Sequence, residues 1–88
     1  MDYQHFKEEG QQLVAEFIFE DFVAAFGFMT EVAFWAEKWN HHPNWYNVYN
    51  RLEIRLCSHD AGNKITDRDH QLAEKIEALY ATRFRDCD

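Results

Sequence analysis

The sequence contains little proline, glycine or cysteine. Its 88 residues include one proline, three glycines and two cysteines. A disulfide framework needs more cysteines than this, and the spacing of Cys57 and Cys87 matches no zinc-finger pattern. We therefore expect a protein of a reducing compartment, the cytoplasm. No repeat, linker or low-complexity tract is present, so residues 1–88 are expected to form a single domain.

Basic residues are also scarce. Lys and Arg number 9 against 16 Asp and Glu, which gives a formal net charge of −7. Proteins that bind nucleic acid need clustered Lys and Arg to neutralise phosphates, and anionic membrane surfaces attract basic segments. The charge balance therefore predicts that neither nucleic acid nor a membrane surface is the main partner.

Long apolar runs are absent as well. The most apolar stretch, residues 17–39, is interrupted by Glu20, Asp21, Glu31, Glu37 and Lys38, so a transmembrane helix is not expected. The first ten residues are polar and acidic, unlike a secretory signal. The aromatic content of 17% is nevertheless high for a disordered chain, so we expect a folded core.

Two segments have the pattern of β-strands. Residues 13–19 are rich in β-branched and aromatic side chains, and we expect Tyr3–Lys7 to pair with them through a turn at Glu8–Gly10. The alternation over residues 45–57 predicts one long, half-buried strand. The residues expected on the apolar faces of these strands are Leu13, Ala15, Phe17, Phe19, Tyr46, Val48, Leu52, Ile54 and Leu56.

Two other segments have the periodicity of amphipathic helices. The first begins at Asp21, a residue suited to the N-cap, and ends near Asn40 because Pro43 prevents its continuation. The second follows a turn at Gly62-Asn63 and a capping box at residues 66–69, and extends to about residue 83. The residues expected to face inward are Phe22, Phe26, Met29, Val32 or Ala33, Ala36, Leu72, Ala73, Ile76, Leu79 and Tyr80. This order of elements indicates an α+β fold, with an antiparallel sheet covered on one face by helices.

Residues suited to chemistry cluster at two junctions between these elements. The run at 37–45, Glu-Lys-Trp-Asn-His-His-Pro-Asn-Trp, lies where the first helix ends, and Ser-His-Asp at 58–60 follows the second strand segment. The ends of elements often carry functional groups, and histidine is the natural residue for proton transfer near neutral pH. The two junctions are therefore the candidate functional site.

Neighbouring side chains could adapt these histidines to a flat substrate. Glu37 lies four residues before His41, so the two can meet on one helix face. A carboxylate from Glu37 or Asp60 could orient an imidazole or raise its pKa. Trp39 and Trp45 could form an apolar wall for stacking. This set of residues suits acid–base chemistry on a planar heterocycle.

The same residues allow other interpretations. His41 and His42 could be cationic residues that favour the C-terminus of a helix. Glu37, His41 and His59 could form an open three-ligand metal site. Asp60 could form a turn. The residues taken alone leave these alternatives open.

Several motifs in this region occur together in one enzyme family. They are Glu37-x-x-x-His41-His42-Pro43-x-Trp45-x-Asn47-Val48-Tyr49-Asn50, Ser58-His59-Asp60 and Thr66-x-x-Asp69, with Phe17-x-Phe19-x-Asp21-Phe22 and residues 25–33 upstream. The His-His-Pro motif is weak alone, but its combination with the preceding acid and the later His-Asp is specific. The sequence resembles the pterin-4a-carbinolamine dehydratases over roughly residues 13–79.

The resemblance implies both a fold and a reaction. The family fold is a four-stranded antiparallel sheet with helices packed on one face. Its members dehydrate 4a-hydroxytetrahydrobiopterin to quinonoid dihydrobiopterin, which allows tetrahydrobiopterin to be recycled. They need no metal and no organic cofactor, and they form dimers and tetramers, so a homodimer or homotetramer is expected here.

The resemblance also implies roles for individual residues. The catalytic histidines of the family map onto His41, His42 and His59, with Glu37, Pro43, Trp45 and Asp60 binding or supporting the substrate. Departure of the C4a hydroxyl needs an acid at the leaving oxygen. We expect His42 to be that acid, while His41 and His59 bind the ring and exchange protons with it.

The sequence departs from the family pattern in two places. Family members usually begin with an extra helix and a Gly-Trp pair that helps to line the pocket. That helix is expected to be missing here, and His5 stands nearest to the tryptophan, so a more open pocket is expected. The usual Gly-Gly-Leu-Thr is Gly62-Asn63-Lys64-Ile65-Thr66 in this chain.

A second function is compatible with the same resemblance. Animal relatives of the family also act as dimerisation cofactors for a homeodomain transcription factor. The alternative to an enzyme is therefore a non-catalytic dimerisation or binding module of the same fold.

Overall fold

The computed structural model describes residues 3–84, which form a four-stranded antiparallel sheet and two α-helices. The elements in chain order are β1 (Lys7–Glu9), β2 (Gln12–Ile18), α1 (Phe22–Lys38), β3 (Asn44–Val48), β4 (Arg51–Leu56) and α2 (Asp67–Leu79). The strands lie in the order β1-β2-β4-β3, so that β2 and β4 form the centre of the sheet. The predicted α+β class is confirmed.

The alternation of side chains along the central strands determines which face of the sheet is buried. The inward residues of β2 and β4 are at most 2% exposed and join residues of both helices in one core; they are Leu13, Ala15, Phe17, Leu52, Ile54 and Leu56. The opposite face carries charged side chains, with Arg51 bonded to Glu16 at 2.7 Å and Arg55 to Glu53 at 2.6 Å. Both helices therefore cover the same, apolar face.

The first strand begins later than predicted. β1 spans Lys7–Glu9, and not Tyr3–Lys7, and the chain turns at Gly10, whose φ of +64° suits glycine. The residues before β1 are held by α2 instead, because the Glu77 carboxylate accepts a hydrogen bond from the backbone N–H of His5 at 2.6 Å. The predicted pairing with β2 is confirmed, but the predicted bounds are wrong.

The single long strand predicted over residues 45–57 is a hairpin. The chain reverses at Tyr49-Asn50, where Tyr49 has a φ of +54°, and β3 then pairs antiparallel with β4. The reversal turns Tyr46 and Val48 to solvent, with 62% and 48% of their surface exposed. The prediction was wrong because the turn contains neither glycine nor proline, and the alternation of side chains continues through it.

Helix α1 begins as predicted, but only part of its predicted inward set is buried. The carboxylate of Asp21 accepts a hydrogen bond from the backbone N–H of Ala24 at 2.8 Å, which confirms the N-cap. Phe22 and Phe26 were predicted to face inward, but they are 47% and 57% exposed. The buried residues are Ala25, Phe28, Val32 and Ala36. The predictions for Val32 and Ala36 are therefore confirmed, whereas those for Phe22 and Phe26 are wrong. Apolar residues occur on every side of this helix, so their spacing does not select one face.

Helix α2 follows the predicted pattern. The Asp69 carboxylate accepts a hydrogen bond from the backbone N–H of Thr66 at 2.8 Å, as expected of the capping box. The helical conformation continues past Leu79 in a π-helical turn over Tyr80–Phe84, close to the predicted end. The buried residues of α2 are Asp69, Leu72, Ala73 and Ile76.

Two further expectations concerned the cysteines and a membrane-spanning helix. Cys57 is buried and not disulfide-bonded, whereas Cys87 lies outside the described residues. Between residues 3 and 84, no helix combines the length and the apolar character that a membrane crossing requires.

Two valines on α1 test the assignment of its buried face. Val32 is fully buried and Val23 is 77% exposed. We expect Val32→Ala to lower the free energy of unfolding by about 1.5–3 kcal/mol, because it removes buried methyl groups and leaves a cavity. Val23→Ala is the matched control and should change it by less than about 0.5 kcal/mol. Urea unfolding measures both, and equal effects would contradict the assignment.

Candidate functional site

A cavity of about 370 Å³ lies where the end of α1 meets the loop after β4 and the start of α2. It is lined by Asn40, His41, His42, Pro43, Asn44, Cys57, His59, Asp60 and Arg68. This volume falls in the range of small-molecule sites, about 300–1,000 Å³. Histidines from two distant parts of the sequence therefore face one space.

The end of α1 fixes the backbone of the first histidine. The N–H of Asn40 donates to the carbonyl of Glu37 at 3.2 Å, and the N–H of His41 donates to the carbonyl of Ala36 at 2.9 Å. Asn40 has a φ of +52°. These are the bonds of a Schellman motif, with asparagine in the left-handed position that glycine usually occupies. Pro43 then directs the chain into β3.

A buried polar contact joins His41 of the cavity to Asp69 of α2. Their Nε2 and Oδ1 atoms are 2.5 Å apart, and the residues are 8% and 0% exposed. The other carboxylate oxygen of Asp69 accepts hydrogen bonds from the Ser58 hydroxyl and the Thr66 backbone N–H, each at 2.8 Å. Burial raises the pKa of Asp69, but the hydrogen bonds from His41, Thr66 and Ser58 outweigh it and lower that pKa overall. Asp69 is therefore ionised at neutral pH.

The ionised carboxylate fixes the tautomer of His41. Because a carboxylate only accepts hydrogen bonds, Nε2 of His41 carries the proton. The Nδ1 atom makes no hydrogen bond within the described residues, where every buried side-chain N or O atom has a partner. It follows that Nδ1 is accessible, and in the neutral ring it presents a lone pair.

His42 is held by a different carboxylate. Its Nε2 atom lies 3.0 Å from Oε1 of Glu37, and the two side chains are 57% and 82% exposed. Glu37 was expected to meet His41, but the Schellman motif turns the chain so that the next residue reaches it instead. An ion pair this exposed contributes little to stability. It still holds the ring by one nitrogen.

His59 follows β4 in a single 3₁₀ turn, His59–Ala61. The predicted turn at Gly62-Asn63 is confirmed, because both residues have positive φ, +80° and +61°. The side-chain oxygen of Asn63 lies 2.8 Å from Nδ1 of His59. The third histidine is thus also held by one ring nitrogen, but by an amide.

Arg68 connects the two junctions across the cavity. Its guanidinium donates to the backbone carbonyl of Asn40 at 2.5 Å and to the carboxylate of Asp60 at 3.2 Å. Asp60, which was considered as a partner of a histidine, therefore pairs with Arg68. This bridge ties the end of α1 to the turn that carries His59.

Some of the predicted residues lie away from the cavity. Trp39 and Trp45 pack against the core, and Trp45 lines a separate hollow of about 130 Å³. The apolar wall expected from them is not present at the cavity. His5 does not line it either, because it packs against Phe17 and bonds to Glu77.

The described residues do not form the three-ligand metal site that was considered as an alternative. Glu37 bonds to His42, and residues 3–84 contain no group of three or more His, Cys, Asp or Glu side chains placed to hold a metal ion. The set considered from the sequence, Glu37 with His41 and His59, therefore does not come together as a ligand cluster.

The sequence placed Asp69 in a capping box and in the family motif but gave it no contact with a histidine, and Arg68 was overlooked. A signal for Asp69 was present, since it shares a helix face with Leu72, Ala73 and Ile76. An acid on an apolar face is buried, and a buried acid needs partners. For Arg68 the sequence offered no comparable signal.

Asp69 can be tested by an isosteric change. Asp69→Asn keeps the shape but removes the charge that His41 and Ser58 stabilise, so we expect it to lower the free energy of unfolding by about 2–4 kcal/mol near pH 7. Asp67→Asn, on the exposed first turn of the same helix, is the matched control and should cost less than about 1 kcal/mol.

The pH dependence gives a second measure of the same contact. Because folding lowers the pKa of Asp69, its ionised form stabilises the fold above the ordinary value of 3.8, and this stability is lost as the pH falls through the lower folded value. The difference between wild type and Asp69→Asn should therefore shrink in acid. A difference that persists unchanged to low pH would contradict an ionised Asp69.

The chain is similar in sequence to proteins of one family. Residues 3–79 match the family model described as pterin 4 alpha carbinolamine dehydratase. The chain is 59% identical over 70 residues to a protein of Solibacter usitatus provisionally named pterin-4-alpha-carbinolamine dehydratase, covering 80% of this chain and 73% of that one. A similarly named protein of Rhizobium rhizogenes is 55% identical over 65 residues, covering 74% and 63%.

Solved structures show the same fold. A Brucella melitensis protein described as a transcriptional coactivator/pterin dehydratase matches with a TM-score of 0.83 and 37% identity, covering 88% of this chain and 83% of that one. A pterin dehydratase-like protein described as a RuBisCO assembly factor in the alpha-carboxysome matches with a TM-score of 0.70 and 18% identity, covering 89% of both chains. At that identity the second match shows the fold alone. From its family match and its relatives, the chain belongs to the pterin-4-alpha-carbinolamine dehydratase family.

Proposed function

We propose that this protein removes water from 4a-hydroxytetrahydrobiopterin, giving quinonoid dihydrobiopterin for the recycling of tetrahydrobiopterin. The observation that carries the proposal is the shared cavity of His41, His42 and His59, in which each ring is held through one nitrogen. Its volume suits a small heterocyclic substrate, and histidines suit the proton transfers involved.

The reaction needs two proton transfers at different places on the ring. The C4a–O bond breaks, and the N5 lone pair forms the C4a=N5 bond as the hydroxyl leaves. An acid protonates the departing oxygen to give water, and a base removes a proton from a ring nitrogen, so that the product is neutral. Several histidines around one cavity can divide these tasks among them.

We assign the acid role to His42. Its side chain is 57% exposed, so water can return a proton to the ring after each turnover. The carboxylate of Glu37 lies 3.0 Å from Nε2 and holds the ring that must protonate the leaving hydroxyl.

The other two histidines are assigned to the ring nitrogens. Asp69 fixes His41 with a proton on Nε2, which leaves Nδ1 to accept a hydrogen bond from a ring N–H. His59 shares the binding of the ring and the proton exchange. Pro43 and Asp60 line the cavity and support the substrate, whereas Trp45, which lies outside the cavity, has no part in this proposal.

We also propose that the protein acts in the cytoplasm as a homodimer or homotetramer. The support is a group of large aromatic side chains that α1 exposes: Phe22, Phe26 and Phe34. A domain this small gains stability when such a surface is covered. Light scattering after size-exclusion chromatography tests the assembly, and a strictly monomeric protein at micromolar concentration would contradict it.

The alternative is a binding module without catalysis. The RuBisCO assembly factor, which has the same fold at 18% identity, motivates it. The two proposals differ in whether the cavity histidines are required for turnover of a pterin.

Stopped-flow decay of 4a-hydroxytetrahydropterin, followed by its ultraviolet absorbance with a metal chelator present, tests the enzyme proposal. We expect the protein to accelerate the decay and His42→Ala to lower kcat by about 10²–10⁴-fold, the usual contribution of a general acid. His70→Gln is the matched control and should retain the wild-type rate, because His70 pairs with Tyr3 outside the cavity.

Two results would contradict the proposal. One is decay at the spontaneous rate in the presence of folded wild-type protein, which would favour the binding module. The other is an acceleration that His42→Ala leaves unchanged.

A further inference from the structure

We propose that Asn63 is a positioning residue that sets the tautomer of His59, so that the ring presents an unprotonated Nε2 for the substrate. The catalytic meaning of this tautomer rests on the proposed function. The tautomer itself is a property of the free protein and can be measured without substrate.

The contact between the two side chains determines which nitrogen carries the proton. The side-chain oxygen of Asn63 lies 2.8 Å from Nδ1 of His59. An amide oxygen only accepts hydrogen bonds, so Nδ1 must be the donor. A neutral imidazole has a single N–H, and Nε2 is then left with a lone pair.

The charged groups around the cavity leave this role to Asn63. Asp60 is bonded to Arg68, Glu37 to His42, and Asp69 to His41. The titratable and charged groups that line the cavity with His59 are His41, His42, Cys57, Asp60 and Arg68. Nδ1 of His59 therefore donates its hydrogen bond to a neutral amide, although carboxylates lie nearby.

The backbone holds Asn63 in place independently of its side chain. Asn63 has a φ of +61°, its N–H donates to the carbonyl of Ser58 at 2.9 Å, and the N–H of Ser58 donates to the carbonyl of Lys64 at 2.8 Å. The hydroxyl of Ser58 also bonds to Asp69 at 2.8 Å. The turn that presents Asn63 is thus joined to the carboxylate that orients His41.

These contacts give the two histidines opposite tautomers. His41 carries its proton on Nε2, which donates to a carboxylate, whereas His59 carries its proton on Nδ1, which donates to an amide oxygen. His59 is therefore suited to accept a hydrogen bond or a proton from a ring N–H through Nε2.

The positive φ of Asn63 allows a clean substitution. Asn63→Gly removes the amide and keeps the backbone, because glycine adopts the left-handed conformation without steric cost. Asn63→Asp keeps an acceptor oxygen at the same position and tolerates the same backbone. Both variants should unfold at a temperature close to that of wild type. A difference between them in the His59 tautomer therefore reports the hydrogen bond and not a change in stability.

The tautomer can be read from ¹⁵N NMR of the histidine rings in the free protein, at a pH where His59 is neutral. The His59 signals are assigned by their loss in His59→Gln. We expect Nδ1 to show the shift of a protonated nitrogen and Nε2 that of an unprotonated one. Asn63→Gly should move His59 toward the Nε2–H tautomer, and Asn63→Asp should retain Nδ1–H.

The dehydration rate gives the functional measurement. Asn63→Gly should lower kcat/KM about fivefold, the effect expected when one orienting hydrogen bond of ordinary strength is lost. Asn63→Asp should recover most of this loss, because its side-chain oxygen can accept the same hydrogen bond from Nδ1 of His59. Such a rescue would not follow if the amide only stabilised the turn.

The NMR result decides the proposal on its own. A wild-type His59 protonated at Nε2, or a tautomer that Asn63→Gly leaves unchanged, would overturn the role of Asn63 whether or not the protein is a dehydratase. The expected tautomers in a wild-type protein without dehydratase activity would support the positioning contact while contradicting the proposed function.

Discussion

The structure around the cavity depends on one buried charge. Asp69 is fully buried and ionised, which is costly unless its oxygens are bonded. Its partners are His41 after α1, Ser58 after β4 and Thr66 before α2. The charge is therefore stabilised only when the ends of these three elements come together. The same condition assembles the cavity, so the fold and the site share one constraint.

Each histidine of the cavity has a different partner. His41 contacts a buried carboxylate, His42 an exposed one, and His59 an amide. The rings are identical in chemistry, but their surroundings differ in charge and in access to water. Such differences allow neighbouring histidines to take separate acid and base roles in one reaction. The division of roles that we propose follows from these partners and not from the order of the residues in the chain.

Local signals explain what could be predicted from the sequence. Asp21 and the capping box at residues 66–69 mark the starts of both helices, and the alternation in β2 identifies its buried face correctly. The positions of the histidines at the ends of elements could also be predicted. Each of these features depends on residues close together in the chain, where propensity and pattern are informative.

The features that could not be predicted depend on contacts between distant residues or on unusual backbone. The β3–β4 hairpin turns at Tyr49, which has a positive φ that its sequence does not suggest. The buried face of α1 is decided by packing against the sheet, because apolar residues surround the helix. Glu37 was predicted to meet His41 but bonds to His42, because the Schellman motif redirects the chain. These contacts follow from the assembled fold.

The central claim is that His41, His42 and His59 form one site for a pterin. It is tested most directly by adding a stable dihydropterin, which cannot lose water, to protein with ¹⁵N-labelled histidines. We expect the ring signals of these three residues to shift together as the pterin is added, with one dissociation constant. His5 and His70, which lie outside the cavity, should not shift. Shifts confined to His5 or His70, or none at saturating pterin, would contradict the account.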